Sequence, residues 1–157
     1  MTAVSPVSAH IVLVVTAALL FYLAVADLRE FKIRNELVVL LAVLYVVHAA
    51  LSGRWAIMHW NLGFAAAMFV LMLVAYAQNL VGGGDLKLMT VAFLWSGVHC
   101  VAPLLIGLAG FTALHAVAAK LNWVHAQRVN GRSKVAFAPS VAAGLIVTFM
   151  SGCFTHF

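Results

Sequence analysis

Acidic residues are almost missing from this 157-residue chain: Asp27, Glu30, Glu36 and Asp85 stand against nine Lys and Arg. Charged residues of both signs make up 8% and hydrophobic ones 66%, with a mean hydropathy of +1.11. Soluble domains carry about a quarter charged residues, so a soluble globular domain is excluded and a membrane protein is expected. A spanning helix takes ~20 apolar residues, which leaves no room for a separate soluble unit; one domain over residues 1–157 is expected. Cysteine is scarce as well. Cys100 and Cys153 form no CxxC and no zinc-finger spacing, so neither a disulfide framework nor a structural zinc site is supported, and the redox compartment stays open. There is no GxSxG, no HExxH and no Cys–His pair at a recognisable spacing, which leaves serine and zinc hydrolysis poorly supplied. No cofactor and no metal are expected.

What is present is a succession of apolar runs, over residues 7–26, 36–51, 60–80, 85–98, 101–119 and 135–153. The fold class expected is all-α, a polytopic integral membrane protein of about six transmembrane helices. The first run is read as a retained helix: no Lys or Arg precedes it and no A-x-A-type cleavage site follows. The fourth is short and ends somewhere between His99 and Pro103. With the amino terminus outside, the inner segments hold Arg29, Lys32, Arg34, Lys87, Lys120, Arg128, Arg132 and Lys134, and the outer side only Arg54. Basic residues stay cytoplasmic, so both termini are expected outside. The formal charge of +5 therefore records topology first; membrane lipids are expected partners and nucleic acid is not. Trp55, Trp60 and Trp123 suit headgroup depth, and the alanines at 65–67 and 116–119 suit close helix contacts.

In this topology Asp27 ends helix one and Asp85 begins helix four at the same surface, 58 positions apart. Carboxylates at the bilayer boundary are costly unless hydrated or partnered, which makes each a functional candidate. Structural roles compete: Asp85 as a helix N-cap, Asp27 as a solvated flank residue paired with Arg29 or Lys32. Two carboxyls sharing one proton supply a base and an acid together. The base takes a proton from water, the acid polarises a peptide carbonyl, and a tetrahedral diol collapses with proton return to the amine. Gly82, Gly83 and Gly84 give backbone freedom at positive φ and let a substrate strand or lid approach the main chain, or else form a plain turn. Lys87 sits beside Asp85 or snorkels to the interface.

Gly82-Gly83-Gly84-Asp85-Leu86-Lys87-Leu88-Met89 resembles the GxGD signature, in its GGGDxKL form, of the bacterial type IV prepilin peptidases. Asp27 followed by Lys32-Ile33-Arg34-Asn35 resembles that family's other half, an acid at the end of helix one and a nearby Ile-Pro-Asn. Phe137, Pro139 and Gly144 are similar to its closing helix. Arg34 stands where the family usually has proline, which alters the turn after Asp27, and Ala136 and Ala138 replace a common proline and glycine. The amino-terminal methyltransferase extension with paired CxxC motifs is missing, so N-methylation is not expected; the short form is similar to the peptidases of tight-adherence (Flp) pilus systems. The resemblance implies an aspartic endopeptidase of the bacterial inner membrane that cuts the basic leader from pilin and pseudopilin precursors on the cytoplasmic side. It implies Asp27 and Asp85 as the catalytic pair, with Gly82, Gly83, Gly84, Lys87, Ile33 and Asn35 as motif residues.

Two other classes remain open on the residues. Intramembrane carboxylates also mark ion- or proton-coupled transporters, although both aspartates lie at one face rather than mid-membrane. A non-enzymatic subunit of a pilus or secretion assembly would use the glycines as a turn. His48, His59, His99 and His156 fall near the outer face beside Cys100 and Cys153, a weak basis for a metal site or a disulfide. His115 and His125 approach the inner side. Glu30 and Glu36 attract a basic leader, but Arg29, Lys32 and Arg34 oppose them. Substrate identity and oligomeric state are left unassigned.

Overall fold

The computed structural model describes residues 6–30, 33–121, 127–129, 132–134 and 136–153. These form α1 (Pro6–Glu30), α2 (Asn35–Leu51), α3 (Trp55–Ala77), α4 (Gly83–Ser96), α5 (Val101–Lys120), β1 (Gln127–Val129), β2 (Arg132–Lys134) and α6 (Ala138–Met150). The all-helical polytopic expectation holds. The polar segment between α5 and α6 adds a short antiparallel hairpin, with Arg128 opposite Ser133 and Val129 opposite Arg132. Stretches of α1, α3 and α5 are long and apolar enough to cross a membrane, while α2 and α6 are apolar but shorter. At 1.5 Å per residue the 14 residues of α4 reach ~21 Å, less than the ~30 Å hydrocarbon core.

Helix ends follow local chemistry. Gly97 has φ +56 and ψ −169, a backbone region that favours glycine, and α4 stops before it at Ser96. Pro103 therefore does not interrupt α4; it lies in the first turn of α5, where a missing N–H costs nothing. Pro139 occupies the first turn of α6 for the same reason, so α6 begins at Ala138 rather than at 135. The first helix continues one turn past Asp27, to Glu30.

Helix α4 is the centre. It packs on α2, α3 and α6 and touches α5; α1 closes the far side against α2 and α6, and α5 covers α6. Its buried residues, Leu86, Leu88, Met89, Val91, Ala92, Phe93, Trp95 and Ser96, run around the whole helix, as a central helix requires. In α3 the buried residues are Asn61 and Ala65. Lipid tails are as apolar as leucine, so helices associate through close packing. A Cβ on Gly144 would lie 2.8 Å from the Leu104 carbonyl oxygen, and one on Gly107 2.8 Å from the Gly144 Cα. These glycines make the α5–α6 contact. Of the alanines expected at helix contacts, Ala65 is buried, whereas Ala66, Ala67 and Ala116 are exposed.

At the end of the bundle where α4 meets α5, the Trp95 indole N–H donates to the Leu41 carbonyl at 3.0 Å, and its ring meets Tyr45 and Phe149 edge-on. Asn61 Nδ2 donates to the Tyr45 hydroxyl at 3.0 Å. Cys100 and Cys153 are joined in a disulfide, with Cα atoms 6.0 Å apart. Sequence spacing gave no support for this bond, because it depends on the α4–α5 turn and the end of α6 converging across 53 residues.

Candidate active site

The opposite end of the bundle gathers the residues singled out in the sequence. Asp27 is 4% exposed. Its Oδ2 accepts a hydrogen bond from the Ala138 backbone N–H at 3.0 Å. The N-cap residue of α6, Phe137, offers no side-chain cap, so a carboxylate from α1 caps α6 across 111 residues. An unsatisfied buried N–H costs about 1–3 kcal/mol, and the positive end of α6 favours an anion. Asp27 is thus neither a solvated flank residue nor a partner of Arg29: it joins α1 to α6.

Asp85 lies in the first turn of α4, half-buried, with Gly82 as the N-cap residue. Its carboxylate turns back over that start: a Cβ on Gly82 would lie 3.0 Å from Asp85 Oδ2. A Cβ on Gly84 would lie 3.3 Å from the Ile33 Cβ, tight enough to push the chain between α1 and α2 aside, while one on Gly83 would meet the Tyr76 ring at an ordinary 3.5 Å. The first and third glycines are constrained by neighbours and the middle one is not, which is the spacing G-x-G. Gly82 is extended, at φ −75 and ψ 150, and the positive-φ glycines among the described residues are Gly53, Gly97 and Gly152. The expectation of left-handed backbone at this triplet is corrected: these glycines supply space.

Lys87 neither snorkels alone nor serves Asp85 alone; its Nζ donates to Asn35 Oδ1 at 3.0 Å, linking the starts of α4 and α2. Arg34, the departure from proline, has φ −77 and ψ 129, a backbone that proline itself adopts. Its 3.7 Å ion pair with Glu36 is exposed on both sides and contributes little. The Ala138 amide and Tyr76 were not foreseen. A backbone amide leaves no mark in a sequence, although a helix start without its own capping residue was a usable sign. Of the histidines, His48 is buried beside Trp95, His59 bonds the Trp55 carbonyl, and His115 is buried against Phe111, away from both aspartates in sequence. His125 and His156 lie outside the described residues, as does Trp123. Among the described residues no three His, Cys, Asp or Glu are grouped as metal ligands.

Asp27 and Asp85 thus lie at one end of the bundle, on helices that both pack against α2 and α6. Among the described residues α1 and α4 are joined through α2 and α6, on which both pack, and through side chains of the shared core such as Leu20, Leu23, Leu88 and Met89. A family model for the type IV leader peptidase family matches residues 14–155. This chain belongs to that family. The match takes in Asp27, the glycine triplet, Asp85 and all of α6. The chain is also similar to the prepilin leader peptidase/N-methyltransferase of Bacillus subtilis (strain 168), at 30% identity over 140 residues. That alignment covers 88% of this chain and 55% of the relative, so the chain spans about half the length of the curated relative it matches. No solved structure matches it.

Proposed function

We propose that this member of the type IV leader peptidase family is an aspartic endopeptidase of the bacterial inner membrane. It removes the basic leader from pilin and pseudopilin precursors, including those of the Flp type, at the cytoplasmic face. The observation that supports this reading is that the chain's two aspartates, 58 positions apart, lie at the same end of the bundle, Asp27 at the start of α6 and Asp85 at the start of α4 beside the G-x-G turn. One carboxylate takes a proton from water while the other, protonated, polarises the scissile carbonyl; the diol collapses as the proton passes to the leaving amine. Eight of nine basic residues fall on that side in the expected topology, which supports a cytoplasmic site.

The capping role of Asp27 is the competing explanation, and asparagine separates the two. Its amide oxygen still accepts from the Ala138 N–H, so Asp27→Asn keeps the α1–α6 link but holds no exchangeable acid. Co-expression with pilin precursors should give inserted, folded protein that processes at least ~100-fold more slowly, and Asp85→Asn the same. Wild-type processing by either variant would refute the pair.

A further inference from the structure

Two helices carry the aspartate end, and one covalent bond ties their other ends. Helix α4 starts beside Asp85 and finishes at Ser96, four residues before Cys100. Helix α6 starts at Ala138, whose amide holds Asp27, and finishes at Met150, three residues before Cys153. The two helices pack on each other along the way. We propose that the Cys100–Cys153 disulfide is a positioning device, formed on the outer side of the membrane, that fixes the axial register of α4 against α6 and so sets where Asp85 stands relative to Asp27. The proposal rests on the reading of those two residues as the working pair.

Bonds of this kind persist in oxidising compartments, so the cysteine end faces outward and the aspartate end faces the reducing cytoplasm. Formation needs an oxidant. The two thiols give up two protons and two electrons to a disulfide-bearing thiol oxidant of the outer compartment, whose disulfide becomes a dithiol as the Cys100 Sγ–Cys153 Sγ bond forms. Cys100 is 5% exposed, and it packs at the same end as the Trp95 cluster. The bond therefore extends a rigid region instead of standing as an exposed, exchanging pair. A helix held at one end transmits displacement along its length, and α6 has no capping side chain of its own to hold its start. Freed at Cys153, α6 can slide on α5 and α4 and carry the Ala138 amide, with Asp27, away from α4.

The test has two arms. Cells expressing the full chain are quenched in acid, unfolded and treated with a polyethylene-glycol maleimide before and after reduction. The expected result is no adduct before and two after; two adducts before reduction would overturn the proposal. In the second arm, wild type in vesicles is assayed on a pilin precursor as oxidised, reduced and reoxidised enzyme, beside the Cys100→Ser/Cys153→Ser double variant. Temperature is held where helical circular dichroism shows every form folded. Reduction and the double variant should lower kcat by between about threefold and ~100-fold with KM unchanged, since small misplacements of reacting groups have effects of that size. Reoxidation should restore wild type and leave the double variant unchanged. Equal kcat in oxidised and reduced enzyme, or unfolding on reduction at every temperature, overturns the positioning role. Failure of the oxidised wild type to cleave refutes the peptidase reading instead, so the two failures are told apart.

Discussion

The two ends of this bundle are held together by different means. At the cysteine end a disulfide, the Trp95 indole bond to Leu41, the Asn61–Tyr45 bond and a set of edge-on rings tie α2, α3, α4 and α6 into one body. At the aspartate end the cross-helix links include two hydrogen bonds, Ala138 to Asp27 and Lys87 to Asn35, beside glycines that let Asp85 and Ile33 approach closely. One end is joined by a covalent bond and edge-on rings, the other by polar contacts at helix starts. Under the proposed function the polar end is the one a peptide would approach, because a region packed like the cysteine end has no space for an extended strand.

Substitutions sharpen the contrast. The largest expected effect is on stability at the rigid end: Trp95→Ala removes a fully buried ring and its hydrogen bond, and should cost about 3–5 kcal/mol by denaturant unfolding in detergent. With the Cys100–Cys153 bond intact, cleavage by the fraction that remains folded should stay near normal; a selective loss of kcat would show that the disulfide alone does not hold the register of α4 against α6. At the aspartate end, Gly84→Ala forces Ile33 to move and should slow processing about tenfold, while Gly83→Ala, meeting Tyr76 at ordinary distance, should stay within about twofold. Equal effects at the two glycines would show that space does not explain the G-x-G pattern. The smallest effect is expected at the turn: Arg34→Pro matches the existing backbone, should add about 0.4–1 kcal/mol by restricting the unfolded chain, and should leave processing intact. A destabilised variant would mean that the turn after Asp27 needs the Arg34 side chain or N–H.

The candidate site was read from residue types. So few acids in so apolar a chain isolate Asp27 and Asp85, and the glycine triplet marks the second of them. The spacing did not reveal how the glycines act, since φ cannot be read from a Gly-Gly-Gly run; Gly82 is extended and the triplet works through clearance from Asp85, Ile33 and Tyr76. Lys87 was assigned two plausible roles from its neighbours in sequence, and the structure gives it a third with Asn35, 52 residues away. The capping role of Asp27 was not legible, because its hydrogen-bond donor is a main-chain amide on the last helix.

Composition alone determined that this chain lives in a bilayer as a helical bundle, because backbone groups in lipid must satisfy one another within each helix. The order of charges and apolar runs determined which helix ends share a surface. Tertiary structure decided which residues meet there: that α4 is central, that Asp27 caps α6, and that Cys100 reaches Cys153. Those outcomes depend on close packing between elements distant in sequence, for which a linear pattern of hydropathy holds no information.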